Sequence, residues 1–246
     1  MPKATIVVPC YNEAQRLDGP AFCEFAAEFS DVQFLMVNDG STDGTAHVLE
    51  RLETEARGSV AILSLSENSG KAEAVRQGIL VALAQGPDFV GFWDADLSTP
   101  LAEVPGFLQR FDEDPGCVAV LGSRVARLGA KIDRKLTRHY LGRLFATSAS
   151  LVLGMDVYDT QCGAKMFRAE PRLQEVFAKP FVSRWVFDVE VVARLVQSYG
   201  KDVASRIYEQ PLAAWKDVEG SKLSWTQGVR AFADLIAIRR AYGRSI

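Results

Sequence analysis

The chain has 246 residues, with 28 lysines and arginines against 31 aspartates and glutamates, a formal net charge of −3, and 48% hydrophobic residues. This composition can bury a sizeable core, which excludes a disordered chain, and the net negative charge argues against a nucleic-acid-binding protein. The four cysteines are scattered without a CxxC pair, which argues against a zinc cluster or disulfide framework and favours a reducing, cytosolic compartment.

Neither a signal peptide nor a membrane-spanning helix is predicted. The first residues, up to Glu13, lack the apolar core of a signal peptide. The longest stretch without a charged residue, 144–155, has 12 residues. A spanning helix needs about 20 apolar residues, so this stretch is too short.

In the first half, short apolar segments alternate with longer segments that have helical spacing. Strands buried on both faces are predicted at 5–8, 33–38, 60–65 and 89–93, and helices at 45–56 and 71–84. This alternation predicts an α/β fold, with a Rossmann-like, mostly parallel sheet and helices on both of its faces.

The second half is less regular. Strands are predicted at 118–121 and 163–167, and helices at 188–199 and 225–242. No linker rich in proline, glycine and serine separates the halves, so the sequence predicts a single domain over 1–246.

Acidic residues follow three of the predicted strands: Glu13, Asp39, and the pair Asp94 and Asp96. Ligands bind beyond the carboxyl ends of the strands in such sheets, so these carboxylates are expected to face one crevice. Two carboxylates spaced like Asp94 and Asp96 can hold a divalent cation. An isolated pair of this kind is more often a solvated turn, but here Asp39 ends a second strand.

Two further segments have alternative interpretations. Asn68-Ser69-Gly70-Lys71 opens a predicted helix, either as a simple cap or as a phosphate contact through backbone N–H groups and the lysine. Residues 124–143 contain seven basic residues and one acid. Together with the uncharged run that follows, this stretch is either a solvated face or an interfacial segment beside anionic lipid.

The motifs VVPCYNE, VNDGSTDGT, ENSGKAEAVRQGI and DADLSTP occur in this order. In order and spacing they resemble the inverting glycosyltransferases of family 2, which have the GT-A fold. The later motifs GSR, DTQCGAKMFR, RWVFDVE and GSK are similar to the polyprenyl-phosphate sugar transferases, especially the dolichyl-phosphate β-glucosyltransferases. The resemblance implies transfer of a hexose, glucose from UDP-glucose, to a polyprenyl or dolichyl phosphate with Mg²⁺ or Mn²⁺. It also implies a nucleotide-sugar half, 1–123, and an acceptor half, 124–246.

The resemblance also implies roles for individual residues. It assigns Asp39 to the nucleotide base, and Asp94 with Asp96 to the nucleotide and the metal, with Asp96 counted as catalytic. The residues that it places beside the donor are Pro9, Tyr11, Glu13 and Lys71. It places Gln161, Asp188 and Glu190 beside the sugar or the acceptor. Beside the acceptor phosphate it places Arg124 and a second basic residue, taken as Arg138 with Arg134 and Lys135 as alternatives.

The acceptor decides whether the reaction needs a base. A phosphate with a second pKa of about 6 is already anionic near neutrality, and arginines would align it. An alcohol acceptor needs a carboxylate base, first Asp188 and then Glu190. A non-catalytic nucleotide-sugar-binding module is the third hypothesis. Eukaryotic members of the family carry a spanning segment. Without one, attachment is predicted to be peripheral, at the cytoplasmic face of an anionic membrane, through residues 124–155. The last helix either adds to this contact or packs on the domain.

Overall fold

The computed structural model describes residues 4–133, 136–217 and 225–243. The strands are β1 (Ala4–Cys10), β2 (Val32–Asp39), β3 (Val60–Leu65), β4 (Phe89–Trp93), β5 (Ala119–Ser123), β6 (Lys131–Asp133), β7 (Ala164–Arg168), β8 (Ile207–Pro211) and β9 (Ala214–Lys216). The α-helices are α1 (Gly19–Glu28), α2 (Thr45–Glu55), α3 (Lys71–Ala84), α4 (Val104–Glu113), α5 (Leu136–Leu153), α6 (Pro171–Ala178), α7 (Phe187–Tyr199) and α8 (Trp225–Tyr242). Short 3-10 helices lie at Leu101–Glu103 and Lys201–Arg206.

Seven strands form one sheet in the order β3-β2-β1-β4-β7-β5-β8. All neighbouring pairs are parallel except those of β7, which runs antiparallel to both β4 and β5. Strands β6 and β9 form a separate parallel pair. The prediction of an α/β fold with a mostly parallel sheet is therefore confirmed.

The sheet has a hydrophobic core on each face, because successive side chains of a strand point to opposite sides. Val7 and Phe92 pack on the face covered by α3, α5, α6, α7 and α8, whereas Ile6 and Trp93 pack on the face covered by α1, α2 and α4. Since both faces of the central strands are buried, their sequences are continuously apolar rather than alternating.

Strand β3 differs from the prediction that all four early strands are buried on both faces. It pairs with β2 alone, and Ala61 and Ser64 are exposed. Its apolar sequence does not distinguish an edge strand from a central one. Among the described residues, none of the helices combines the length and apolar character that crossing a bilayer requires.

Candidate active site

The carboxyl ends of three adjacent strands, β2, β1 and β4, carry the acidic residues of the site. Asp39 is the last residue of β2, and Glu13 follows β1 by three positions. Asp94 and Asp96 follow β4 directly. Because these strands are parallel neighbours, their ends meet at one edge of the sheet, as predicted from their order in the chain.

Asp39 ties the end of β2 to the start of α3. Its Oδ1 accepts a hydrogen bond from the N–H of Ser69, and its Oδ2 accepts one from the N–H of Gly70, both at 2.8 Å. These two N–H groups are therefore engaged by Asp39 rather than free for a phosphate, and among the described residues no side chain caps the first turn of α3. The contact of Asp39 with a nucleotide base stays a prediction.

Lys71 pairs with Asp94 across the crevice, with 2.5 Å between Nζ and Oδ1. Burial acts to lower the pKa of Lys71, but the carboxylates of Asp94, Asp188 and Asp96 together raise it above its ordinary value. Asp96 accepts a hydrogen bond from the N–H of Ser98 through Oδ1 at 3.0 Å. Lys71 is thus a cation surrounded by the carboxylates of the site.

Gly163 allows the backbone of the 159–163 segment to approach Asp94. A Cβ at this position would lie 1.9 Å from Oδ2 of Asp94 and 2.2 Å from its Cγ, so a side chain would displace the carboxylate. Asp94 is therefore held between Lys71 on one side and the Gly163 backbone on the other.

Gly163→Ala is expected to lower kcat about a hundredfold, because small displacements of a catalytic group carry penalties of this size. The measurement is steady-state turnover, compared with Gly106→Ala as the matched control. At Gly106 a Cβ would meet its nearest neighbour, Gln210, at an ordinary 3.6 Å. Equal turnover in the two variants would contradict a role for the position of Asp94.

Glu13 lies in the loop that follows β1, near Asp96. One oxygen, Oε1, accepts from Arg16 at 2.7 Å, whereas Oε2 is buried without a hydrogen-bond partner among the described residues. Burial raises the pKa of Glu13, the nearby Arg16 lowers it, and Asp96 and Asp43 raise it further. Of the other residues predicted beside the donor, Tyr11 lies in this loop and is exposed, whereas Pro9 lies in β1 and is half-buried.

Arg124, at the end of β5, is fixed by a carboxylate that the sequence prediction missed. Its Nε and Nη2 bond to the two oxygens of Asp159 at 2.6 and 2.8 Å, and its backbone N–H donates to Oδ2 at 3.1 Å. Burial acts to lower the pKa of Arg124, but Asp159 and then Asp94 raise it above its ordinary value. The guanidinium therefore stays charged, and Nη1 has no partner among the described residues.

Polar atoms without partners among the described residues occur next to Arg124 and Asp159 in the chain. They are Ser123 Oγ, Thr160 Oγ1 and Gln161 Nε2, each buried with no hydrogen-bond partner among the described residues. Buried polar groups are normally hydrogen-bonded, so these atoms mark a place where a polar ligand would be held. Gln161 was predicted beside the sugar or acceptor, and its backbone N–H also donates to Asp159 at 3.1 Å.

Asp188 begins the first turn of α7 and pairs with a buried lysine. Its Oδ1 lies 2.5 Å from Nζ of Lys165, which also donates to the carbonyl oxygen of Cys162 at 2.5 Å. The Lys165 side chain is 0% exposed and that of Asp188 only 7%. Asp188 acts on the pKa of Lys71, so it borders the crevice, but little of its carboxylate is open to a substrate.

A profile described as glycosyl transferase family 2 matches residues 5–173. The chain belongs to this family. Along nearly its whole length the glycosyltransferase is similar to curated dolichyl-phosphate β-glucosyltransferases. The relative from Dictyostelium discoideum is 28% identical over 97% of this chain and 74% of its own length, and that from Drosophila melanogaster is 31% identical over 91% and 71%.

Solved structures with a similar fold include two hexosyl-3-phosphoglycerate synthases. Mannosyl-3-phosphoglycerate synthase from Rubrobacter xylanophilus superposes with a TM-score of 0.70, 20% identity, and coverage of 99% of this chain and 75% of that one. Glucosyl-3-phosphoglycerate synthase from Mycobacterium tuberculosis, crystallised with Mn²⁺, UDP and glucosyl-3-phosphoglycerate, has a TM-score of 0.67, 18% identity, and coverage of 97% and 80%. These similarities confirm the GT-A fold.

Glu190 of this glycosyltransferase does not face the crevice, contrary to the prediction. It is completely buried, and its Oε1 accepts from Arg194 at 2.7 Å and from the hydroxyl of Tyr242 at 2.8 Å. Its Oε2 accepts from the N–H groups of Val182 and Ser183 at 2.8 and 3.2 Å. The carboxylate therefore holds α7, α8 and the 179–186 segment together and is not available as a base.

The second basic residue predicted for the acceptor cannot be placed in the site. Arg134 and Lys135 lie outside the described residues, as does the GSK motif at 220–222. Arg138 is in α5, but its side chain lies outside the described part of the chain. Its role stays a prediction.

Proposed function

We propose that this glycosyltransferase moves a hexose, glucose from UDP-glucose, onto a polyprenyl phosphate with inversion. The observation that carries the proposal is the Arg124 guanidinium, whose side chain is only 12% exposed. Asp159 fixes this group and leaves Nη1 without a hydrogen-bond partner among the described residues, and Asp94 is close enough to raise its pKa. A charged, oriented arginine of this kind suits the recognition of a phosphate. The similarity to dolichyl-phosphate β-glucosyltransferases supports the same acceptor.

An acceptor phosphate explains why the site needs no general base. With a second pKa of about 6, a phosphate monoester is largely dianionic at neutral pH. Its oxygen is then already a nucleophile, and Arg124 neutralises its remaining charge. The carboxylate of Asp188 is paired with Lys165 and only 7% exposed, which gives it little opportunity to take a proton from an alcohol.

The residues at the end of β4 fit a divalent cation. Asp94 and Asp96 supply hard oxygen donors, and among the described residues no third histidine, cysteine or carboxylate completes a metal-binding group with them. Diphosphate oxygens and water would complete the coordination. A bound Mg²⁺ or Mn²⁺ would neutralise charge on the departing nucleoside diphosphate.

The reaction is a single displacement. An oxygen of the acceptor phosphate forms a bond to the anomeric carbon while the bond from that carbon to the diphosphate oxygen breaks. The electron pair of the broken bond leaves with UDP, so no proton has to move, and attack from the opposite side inverts the anomeric configuration. Lys71 is suited to meet the diphosphate, because it is the cation beside Asp94.

A surface on α5 and α8, which we call the apolar face, suits contact with a membrane. Its exposed side chains are Leu141, Leu144 and Leu151 of α5 with Phe232 and Ile236 of α8. The two helices pack together, with the rings of Phe145 and Phe232 6.0 Å apart. Basic residues precede this face in the sequence, so we propose peripheral binding to the cytoplasmic, anionic leaflet.

Leu151→Gln is expected to weaken binding to vesicles of anionic lipid about tenfold, because a buried leucine contributes about 1.5–3 kcal/mol. Raising the salt concentration should weaken wild-type binding as well. Sedimentation with vesicles measures both effects. Val81→Gln is the matched control, since Val81 is an exposed apolar residue of α3, away from the apolar face. Equal binding by both variants would contradict the proposed membrane contact.

Release of UDP or GDP from a panel of nucleotide sugars tests the proposed function. Each donor is supplied with Mg²⁺ or Mn²⁺ and with one of four acceptors: a polyprenyl phosphate, the same polyprenol without phosphate, 3-phosphoglycerate, or glucose. Release from UDP-glucose only with the polyprenyl phosphate is expected. Release with a soluble acceptor would instead indicate a different glycosyltransferase, and failure of every donor would support a binding module.

A further inference from the structure

Arg184 is an exposed arginine of the RWVFD segment to which the reaction proposed above gives no role. It makes no hydrogen bond, ion pair or ring contact with the described residues. Its Cδ lies 4.0 Å from the position that a Cβ at Gly70 would occupy. The guanidinium begins one bond beyond Cδ, so it lies at the end of α3 that carries Lys71.

Lys71, the residue that follows Gly70, faces the crevice. Its ammonium pairs with Asp94, which follows β4 directly. Arg184 therefore adds a positive charge on the α3 side of the crevice, whereas Arg124 supplies one at the end of β5. Lys71 and Arg124 are each paired with a carboxylate, whereas Arg184 has no such partner among the described residues.

The backbone around Arg184 is held in place. The N–H groups of Val182 and Ser183 donate to Glu190, and those of Trp185 and Val186 donate to the hydroxyl oxygen of Ser183. That hydroxyl in turn donates to Asp234 of α8 at 2.6 Å. Because this backbone is already ordered, binding of a ligand by the Arg184 guanidinium would cost little conformational entropy. Such an arrangement is expected of a residue that contacts a ligand.

We propose that Arg184 is a substrate-binding residue whose guanidinium contacts a phosphate group, of the donor's diphosphate or of the acceptor. This inference rests on the proposed function for the identity of the phosphate. A guanidinium pairs with phosphate through two parallel hydrogen bonds, which a lysine does not reproduce.

The test compares Arg184→Gln and Arg184→Lys with wild type in two measurements. Calorimetry gives the affinities for UDP, GDP and uridine in the presence of Mn²⁺, and steady-state kinetics gives the two KM values. Lys201→Gln is the matched control, because Lys201 is exposed beyond the far end of α7. Arg184 makes no hydrogen bond, ion pair or ring contact with the described residues, so the melting temperature should not change.

We expect Arg184→Gln to lower nucleoside diphosphate affinity about 10- to 100-fold, as the loss of a charge-assisted hydrogen bond implies, with uridine affinity unchanged. Arg184→Lys should fall between Arg184→Gln and wild type. Unchanged diphosphate affinity with a raised KM for polyprenyl phosphate would support the proposal and assign the contact to the acceptor.

If neither the diphosphate affinity nor the KM differs from that of the Lys201→Gln control, the proposal for Arg184 is wrong. Transfer by the wild-type protein would in that case leave the proposed function intact. Absence of transfer would overturn that function, and the calorimetry would still test Arg184.

Discussion

Replacing Asp96 with asparagine is expected to lower kcat about a thousandfold, because a bound metal contributes several kcal/mol to stabilising the transition state and each 1.36 kcal/mol is a factor of ten. The substitution removes a negative charge and hardly changes shape. The amide oxygen can still accept the hydrogen bond that Asp96 receives from the N–H of Ser98. The loop after β4 should therefore keep its conformation while losing half of its proposed metal-binding charge.

Asp96 is a better test than Asp94 for this purpose. Asp94 is paired with Lys71 and packed against Gly163, so its replacement would disturb a cation and a backbone segment as well as the metal. With Asp96, a loss of turnover can be attributed to the charge.

Binding of Mn²⁺ in the presence of UDP, followed by electron paramagnetic resonance, gives a readout that does not depend on turnover. We expect Asp96→Asn to weaken Mn²⁺ binding in parallel with kcat. Asp112→Asn, on the exposed side of α4, is the matched control and should match wild type in both measurements. Wild-type turnover by Asp96→Asn would refute the assignment of Asp96 to the metal and to catalysis.

The crevice could be located from the sequence because it depends on local patterns. The four early strands are apolar and alternate with segments of helical spacing, and parallel strands bring their carboxyl ends to one edge of the sheet. Asp39, Asp94 and Asp96 can therefore be assigned to that edge from the sequence alone. Strand β7 was predicted as a strand, but not its antiparallel insertion between β4 and β5, because pairing between strands distant in the chain leaves no local pattern.

The partners of charged residues were harder to predict. Arg124 was identified from its motif, but Asp159 lies 35 residues away, and only the fold brings the two together. Glu190 was assigned to the substrate through the RWVFDVE motif, which also contains Asp188. Its spacing of four from Arg194 gave a signal that was missed, since residues at that spacing lie on one face of a helix.

Lys165 offers the largest expected effect on stability. It is the fully buried one of the two charged residues of β7, the other being Arg168 at the end of the strand, and its side chain enters the core that contains Phe92 and Phe167. Its ammonium pairs there with Asp188 and with the carbonyl of Cys162. Removing one member of a buried ion pair costs about 3–5 kcal/mol, because the other charge is left without compensation.

Lys165→Met is therefore expected to lower the melting temperature by about 10 °C, since 1 kcal/mol corresponds to about 2–4 °C in a chain of this size. Differential scanning calorimetry measures the change. Lys179→Met, at an exposed position after α6, should melt within about 2 °C of wild type, because surface substitutions usually change stability by less than about 0.5 kcal/mol. Equal melting of the two variants would contradict the buried pair.

The double variant Lys165→Met, Asp188→Leu removes both charges and should recover most of the lost stability, because apolar groups of similar volume can replace a buried ion pair at little cost. It also separates the two acceptor hypotheses. If Asp188 is the base for an alcohol, the double variant will fold but fail to transfer. If the acceptor is a phosphate that needs no base, the double variant will still transfer the sugar to polyprenyl phosphate. Its rate should fall only to the extent that Asp188 helps to orient Lys71. Abolished transfer in a stable double variant would thus overturn the base-free reaction.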